Sequence, residues 1–432
     1  MTTEPITTDD IGRPDHRAAE SALHGDAPAP KLLIPLMVLA AFGLYLASLS
    51  PAVITLAIRI AGVDPTGKTA SLSTVVLIGA VVTIAALPVC GALSDRTRGR
   101  FGRRRPWLVG GALTGLAGLA LAGAVPSVTA VVAGYAIASL GYAAAFAGFL
   151  PLIPEFVPDR LRARLSGLIG FVVAFAVLAG VILGSELAAQ PLLMLGLPAL
   201  AGVLAAAALA VVIGRVDRPS ADEFPRYGVR EFLASYWLRT RGDRDFAWNW
   251  TSRLLLGVAY VGVQTFAVYF LTDAVGLSTE AAAGEYARIT AISTPVSIVC
   301  FLLSGYLSDR LGRRKAFVVL GSVLIAAALV VAAVTQSQGG FFVAWMVLTV
   351  GQAIYLTVDI AIAAALVPDD AQAGKAMSVY QVATVLPNVV APVLAVLVLA
   401  AGGGAGYPVF FLVLGGAALL AGVTVLFVRK VR

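Results

Sequence analysis

The sequence GALSDRTRGRFGRRRPW, residues Gly91–Trp107, lies between two long apolar stretches and decides how the chain is interpreted. It contains six arginines but a single acid, Asp95. A shorter copy, GYLSDRLGRRK, occupies Gly305–Lys315, about half a chain length further on. Because similarity at a fixed spacing indicates an internal repeat, we predict that the chain consists of two related halves.

The composition indicates a membrane protein. The 432 residues are 59% hydrophobic and 13% charged, whereas soluble proteins carry about 25% charged residues. Repeated apolar stretches of about 18 or more residues predict transmembrane helices. The net charge of +7 could suggest nucleic-acid binding, but the basic residues cluster in alternate loops. That placement is typical of membrane topology, so we expect lipid and not nucleic acid as the surrounding partner.

The hydropathy pattern predicts an all-α integral membrane fold with twelve transmembrane helices. They are expected near residues 32–58, 71–93, 106–125, 128–150, 165–186, 192–214, 246–272, 285–307, 316–334, 341–366, 376–400 and 406–428. Lys and Arg concentrate in the loops after the even-numbered helices 2, 4 and 8, in the central segment and at the C-terminus. By the positive-inside rule, both termini are predicted to be cytoplasmic, in the plasma or inner membrane.

The polar, basic segment 215–245 divides the predicted helices into two sets of six. We therefore predict four regions: a disordered cytoplasmic tail (1–30), an N-terminal bundle (31–214), a cytoplasmic linker (215–245) and a C-terminal bundle (246–432). Two parallel-repeat bundles around a midplane site are the plan of many secondary transporters.

The repeated loop resembles the signature of the major facilitator superfamily. Its pattern is matched in the second copy by Gly305, Asp309, Arg310, Gly312, Arg313 and Arg314. The form Ser94–Pro106 resembles the glycoside–cation symporter branch, which includes sucrose-transporter-like proteins. The sodium-coupled members of that branch use acids in helices 1, 2 and 4. Those predicted helices contain no acid here, which argues against a sodium site of that kind.

The resemblance implies alternating access, with the two loops as conformational latches. Asp95 and Asp309 are expected at cytoplasmic helix ends, where arginines and a neighbouring helix N-terminus can hold them in one state only. The expected latch residues are Asp95, Arg96, Asp309 and Arg310. The alternative is that these arginines only set the membrane topology.

Asp359 is the clearest charge inside a predicted membrane helix, and such charges are functional hypotheses by default. Arg253 lies at a similar depth, roughly 10 Å inside its own helix, since each residue adds 1.5 Å. We therefore predict an ion pair in which Arg253 favours the ionised carboxylate, and separation lets Asp359 take a proton. The alternative is a permanent salt bridge that only fixes packing.

Amide and phenol side chains at helical spacing suit a hydroxylated ligand. The residues expected to contact substrate are Tyr260, Gln264, Gln352, Tyr355, Gln381 and Asn388. Hydrogen bonding between helices is the alternative for each of them. Near the outer rim, an ion pair among Glu186, Asp273, Glu285 and Arg288 could form a gate.

Together these features predict a secondary transporter for a small molecule, most readily proton-coupled uptake of a sugar or glycoside. Proton-driven efflux of a drug or hydrophobic metabolite is the alternative. An enzyme is disfavoured because the two histidines, His16 and His24, both lie in the N-terminal tail. We expect no cofactor and no metal, protons as the coupling ion, and a monomer.

Overall fold

The computed structural model describes residues 32–97, 101–157, 159–213, 244–366, 380, 382–402 and 406–429. These residues include twelve helices that are long and apolar enough to cross a membrane. No strand occurs in the described segments. The all-α, twelve-helix prediction is therefore confirmed, while the predicted tail and nearly all of the predicted linker lie outside the described residues.

The long helices are numbered α1–α12 in chain order. Their bounds are α1 Leu33–Val63, α2 Lys68–Arg96, α3 Arg105–Ala124, α4 Val128–Phe149, α5 Asp159–Glu186, α6 Pro191–Ile213, α7 Arg244–Asp273, α8 Thr279–Leu311, α9 Arg314–Thr335, α10 Gln338–Leu366, α11 Pro387–Gly402 and α12 Gly406–Leu426. One short helix, Leu152–Phe156, lies between α4 and α5. We call the end of the bundle that contains Arg96, Arg104 and Arg310 the arginine-rich end, and the other end the opposite end.

Two helices begin earlier than hydropathy predicts. The structure starts α5 at Asp159 and α8 at Thr279, whereas the apolar pattern begins near 165 and 285. In α8 the Ser278 hydroxyl caps the helix by accepting a hydrogen bond from the Ala281 N–H, at 3.2 Å. A capped polar first turn extends a helix beyond its apolar span, so hydropathy alone misses it.

Helix α1 contains one turn of π-helix, Pro51–Thr55. Proline has no N–H to donate to the preceding turn, so the helix widens there instead of continuing regularly. The Leu56 N–H donates to the Pro51 carbonyl, five residues back. This widened turn lies at the central cavity described below.

The two halves use the same device to pack a helix pair. In α3 and α4, a Cβ atom on Gly118 would lie 2.4 Å from the Gly134 carbonyl oxygen. In α9 and α10, a Cβ atom on Gly321 would lie 2.7 Å from the Gly351 carbonyl oxygen. Only glycine allows the backbones to approach this closely, as is common between membrane helices.

The halves adjoin along two helix pairs. Helix α5 packs against α8, and α2 packs against α11. The end of α1 also contacts α7. These contacts leave a space between the halves near the middle of the helices, and that space contains the candidate site.

Candidate functional site

A cavity of about 400 Å³ lies between the halves. This volume lies within the range of roughly 300–1,000 Å³ that is typical of small-molecule sites. It is bounded by α1 and α5 on one side and by α7, α8, α10 and α11 on the other. Charged side chains are absent from the described residues that line it.

The wall from the N-terminal half is apolar. Leu49, Ala52 and Val53 come from α1, where Ala52 and Val53 belong to the widened turn, and Val173 and Val177 come from α5. This wall offers methyl and methylene groups to a ligand but few hydrogen-bond partners. It therefore favours an apolar surface on the ligand.

The wall from the C-terminal half is polar. Tyr260 on α7 and Gln352 on α10 both line the cavity. The Trp345 indole N–H donates to the Ser293 hydroxyl at 3.3 Å. The remaining polar lining groups are Gln264, Thr265, Tyr286, Thr290, Thr294, Ser297, Thr349 and Asn388. The structure thus brings four of the predicted contact residues, Tyr260, Gln264, Gln352 and Asn388, to one cavity.

Tyr355, which was predicted as a substrate contact, is not among the residues that line this cavity. Its side chain is fully buried, and its hydroxyl lies 2.9 Å from the Ser252 hydroxyl. Ser252 in turn donates to the Ala421 carbonyl of α12 at 2.8 Å. Successive side chains of an α-helix are rotated by about 100° about its axis, so three steps place the side chains of Gln352 and Tyr355 about 60° apart. Tyr355 therefore faces α7 and α12. The side chain of Gln381 lies outside the described residues.

A buried ion pair lies on the arginine-rich side of the cavity. Arg253 on α7 donates through one guanidinium nitrogen to Oδ2 of Asp359 on α10, which has no exposed surface. Each residue is seven positions from its cavity-lining neighbour, Tyr260 or Gln352. The pair therefore lies about 10 Å further along both helices. The equal depth expected from the sequence is what brings them together.

Tyr380 and Thr384 complete this site. The sequence indicated Thr384 only as part of a polar stripe with Gln381 and Asn388, and it did not indicate Tyr380. The Tyr380 hydroxyl donates to Asp359 Oδ2 at 2.5 Å, and Arg253 donates to the same hydroxyl at 2.6 Å. The guanidinium also lies over the Tyr380 ring, 4.3 Å from its centroid. The Arg253 Nε–H donates to Thr384 at 2.9 Å. Their four-residue spacing, which places both on one helical face, was the available signal.

At the arginine-rich end, Asp95 belongs to a network within the first half. Its carboxylate accepts from Arg104 at 2.6 Å, and Arg104 also donates to Glu155 at 2.6 Å. Burial alone would lower the pKa of Arg104, but Glu155 and Asp95 raise it above its ordinary value. Arg103 reaches the same Glu155 carboxylate at 2.7 Å.

The other predicted latch residues are placed as follows. Arg96 donates to the Ala92 carbonyl at 3.4 Å, within its own helix. Arg310 lies 3.5 Å from the Tyr306 hydroxyl, also within its own helix. The side chain of Asp309 lies outside the described residues.

The opposite end is closed by polar contacts between the halves. Lys68 at the start of α2 pairs with Asp273 at the end of α7 and donates to Thr272 at 3.1 Å. The Tyr269 hydroxyl donates to the Ala57 carbonyl of α1 at 3.0 Å. Among the four predicted rim residues, Arg288 pairs with Glu285 at 2.6 Å within α8, and Asp273 pairs with Lys68 of the other half. Lys68 and Tyr269, which make the contacts between the halves at this end, were not among the predicted rim residues.

Comparison with solved structures shows the same fold elsewhere. A bacterial homologue of the human lysosomal transporter Spinster, in an inward-facing and unoccupied conformation, superposes with a TM-score of 0.70 at 15% identity, covering 94% of this chain and 96% of that one. A peptide transporter, POT, solved in complex with sulfate, gives a TM-score of 0.71 at 14% identity, covering 93% and 95%. A search of curated proteins gave no match.

The family comparison extends over nearly the whole chain. The Major Facilitator Superfamily model matches residues 32–299 and 282–432. The two matched ranges overlap within α8, and together they include all twelve long helices. The chain therefore belongs to the Major Facilitator Superfamily of transporters.

Proposed function

We propose that this secondary transporter takes up a sugar or glycoside together with protons. The observation that carries the proposal is the chemistry of the cavity: its described lining is uncharged, and one wall presents amides, phenols and hydroxyls. Such a wall can exchange hydrogen bonds with the hydroxyl groups of a neutral ligand. A charged substrate would lose its hydration there without gaining a counter-charge.

The coupling site in this proposal is the group formed by Arg253, Asp359 and Tyr380. Arg253 stabilises the ionised carboxylate as long as the contact between α7 and α10 persists. When the helices shift, the buried carboxylate loses its counter-charge, and binding a proton removes the cost of burying it. Because Tyr260 and Gln352 lie on the same two helices, substrate binding and the ion pair can influence each other.

The conformational cycle in this proposal is a rocking of two six-helix bundles, 31–214 and 246–432, around the cavity. The Lys68–Asp273 contact holds the opposite end closed. When that end opens, Asp95, Arg96, Asp309 and Arg310 would hold the arginine-rich end shut. With that end in the cytoplasm, the cavity would receive substrate from outside the plasma membrane and release it inward.

The test is uptake into proteoliposomes over a panel of sugars and glycosides, with and without an inward proton gradient. We expect at least one compound to accumulate above its equilibrium level only when the gradient is imposed. A proton ionophore should abolish that accumulation. Transport that ignores the gradient would contradict the coupling, and failure of every sugar would contradict the substrate class.

Proton-driven efflux of a hydrophobic metabolite is the second candidate. The apolar wall formed by α1 and α5 favours it, since an apolar ligand gains most from that surface. The same proteoliposomes distinguish the two, because an exporter would extrude a hydrophobic dye against its gradient and leave the sugars unmoved.

A further inference from the structure

A second cavity adjoins the central one and is almost entirely apolar. It has a volume of about 420 Å³ and lies between α5 and α8, where the halves meet. We call it the lateral groove. Its lining residues are Gly170, Phe171, Ala174, Ser297, Ile298, Phe301 and Leu302. Ser297 is the one polar side chain among them, and its hydroxyl already donates to the Thr294 carbonyl at 2.7 Å.

The lateral groove is continuous with the central cavity. Gly170, Ala174, Ser297 and Phe301 line both spaces. Along α8, Ser293 lines the central cavity alone, Ser297 and Phe301 line both spaces, and the groove ends at Leu302, nine residues after Ser293. That is roughly 13 Å further toward the arginine-rich end, at 1.5 Å per residue. A single elongated molecule can therefore occupy both spaces.

The groove surface is exposed although it is hydrophobic. Phe171 is 47% exposed and Leu302 is 72% exposed, and both lie in membrane-spanning segments. At Gly170 a Cβ atom would meet no other part of the chain within 4 Å. Large apolar side chains beside open space leave room for hydrocarbon.

The chemistry of the two spaces differs in a way that selects the ligand. A sugar hydroxyl in the groove would lose its hydrogen bonds to water and find no free partner. A methylene or aromatic group there would instead be transferred out of water, which is favourable. The polar wall with Tyr260 and Gln352 instead favours a sugar hydroxyl over a methylene or aromatic group.

We propose that the substrate is an amphiphilic glycoside whose apolar aglycone lies in the lateral groove while its sugar contacts the polar wall. This inference rests on the proposed function and narrows it from sugars in general to glycosides with an alkyl or aryl group. The groove serves as the aglycone subsite, and free sugars bind more weakly because they leave it empty.

The test uses two glucosides and one plugged variant in lipid nanodiscs. The probe is hexyl β-glucoside with a photoreactive diazirine at the end of its tail, and methyl β-glucoside is the short comparison. In Leu302→Trp the larger side chain occupies the groove, and Leu302 does not line the central cavity. Leu303→Trp is the matched control, because Leu303 is also an exposed leucine of α8 but lines neither space.

We expect saturable labelling of peptides containing Phe171 or Leu302, displaced by excess unlabelled hexyl glucoside. Leu302→Trp should remove this labelling and lower affinity for hexyl glucoside about tenfold, equivalent to withdrawing roughly two methylene groups. Affinity for methyl glucoside should stay within about twofold of wild type, since its contacts lie at the polar wall. Leu303→Trp should change neither affinity.

The remaining outcomes separate this inference from the proposed function. If both glucosides bind but the tail labels other sites, or if Leu302→Trp weakens the binding of both equally, the subsite is overturned and glycoside transport stands. Labelling that excess ligand cannot displace marks a surface covered by lipid only and also overturns it. A triethylene glycol ether with the same photoreactive tail is the non-sugar probe. If only this non-sugar probe labels the groove saturably, the apolar subsite is upheld and the sugar assignment is withdrawn. If neither the glucoside probe nor the non-sugar probe labels the groove, the subsite is overturned.

Discussion

At the scale of single residues, Asp359 is the carboxylate that the proposed coupling requires. It is wholly buried and receives hydrogen bonds from Arg253 and Tyr380 on the same oxygen. Asp359→Asn retains the shape and can still accept a hydrogen bond, but it cannot bind and release a proton. For one proton per substrate, an inward gradient of one pH unit sustains about tenfold accumulation in wild type.

We expect Asp359→Asn to show no gradient-driven accumulation while it still exchanges substrate across the membrane at equal concentrations. Counterflow in proteoliposomes measures the exchange, and an imposed pH step measures the accumulation. Accumulation equal to wild type would leave the Arg253–Asp359 pair with a packing role only.

Two tyrosines allow a matched comparison between binding and packing. Tyr260 lines the cavity, whereas Tyr355 is buried against Ser252. Tyr260→Phe should weaken substrate binding about two- to tenfold, the usual effect of one lost hydrogen bond. Tyr355→Phe should leave affinity unchanged and destabilise the fold by about 1 kcal/mol.

Affinity is measured by equilibrium binding, and stability by the thermal unfolding midpoint in detergent. The assignment of the two tyrosines would be reversed if Tyr355→Phe weakened binding while Tyr260→Phe only lowered the midpoint.

Asp64, in the turn between α1 and α2, gives a pH-dependent contribution to stability. Its carboxylate accepts hydrogen bonds from the Ser71 hydroxyl at 2.6 Å and the Gly67 N–H at 2.9 Å. The Ser71 bond and then the Gly67 bond lower the pKa of Asp64 below its ordinary value. Because the folded-state pKa is depressed, the stabilisation is present at neutral pH and is lost as the pH falls through that pKa.

Asp64→Asn should therefore unfold at a lower temperature than wild type at pH 7. The two midpoints should converge under acid conditions, where wild-type Asp64 is protonated. A difference that stays constant with pH would show that the carboxylate charge does not contribute.

At the scale of helices, small residues set how closely the elements pack. In α3, Gly118 meets the Gly134 backbone of α4 so closely that a Cβ atom would lie 2.4 Å from its carbonyl oxygen. Backbone atoms cannot move aside as a flexible side chain can. Gly118 therefore fixes the spacing of this pair, as Gly321 does in the related pair of the second half.

We expect Gly118→Leu and Gly321→Leu to reduce the yield of folded protein and to destabilise it by about 1–3 kcal/mol or more. Gly416→Leu, at an open position on α12, is the control and should behave as wild type. Size-exclusion profiles and thermal midpoints in detergent measure both effects. Equal stability of all three variants would contradict close packing through glycine.

At the scale of the whole molecule, Lys68 and Asp273 join the two halves at the opposite end. Lys68 also lies 4.9 Å from the centroid of the Tyr269 ring, and the Tyr407 hydroxyl donates to Asp273 at 3.1 Å. An ion pair between separate halves stabilises only the conformation in which that end is closed. Removing the ion pair therefore shifts the population toward the conformation that is open at that end. The size of the shift is set by the difference in the pair's free energy between the two conformations.

Lys68→Asp should increase the fraction of molecules that are open at the opposite end, because two acids then face each other. The double swap Lys68→Asp with Asp273→Lys should restore the wild-type distribution. Distances between spin labels on α1 and α7 near that end, measured by pulsed electron resonance, report the populations. If the swap fails to restore what the single change disturbs, charge pairing is not the cause.

Several features of this protein could be predicted from the amino-acid sequence alone. Long apolar stretches determined the twelve helices, because the bilayer offers the backbone no partners outside a helix. The repeated loop indicated two related halves and the superfamily. Its glycines, Gly102 and Gly312, have positive φ angles of 83° and 61°, a conformation that favours glycine and explains the motif. Helical spacing and depth also indicated that Arg253 and Asp359 share a level.

Only the tertiary structure decided which side chains meet across separate helices. The angle of each helix about its axis turned Tyr355 away from the cavity and brought Tyr380 to Asp359. The packing of the halves paired Lys68 with Asp273 and left the groove open beside Gly170. The spacing of polar residues along the sequence indicates which residues share a face of one helix, but it does this for each helix separately. Contacts between helices depend on their rotation, tilt and separation, which packing of the whole bundle sets.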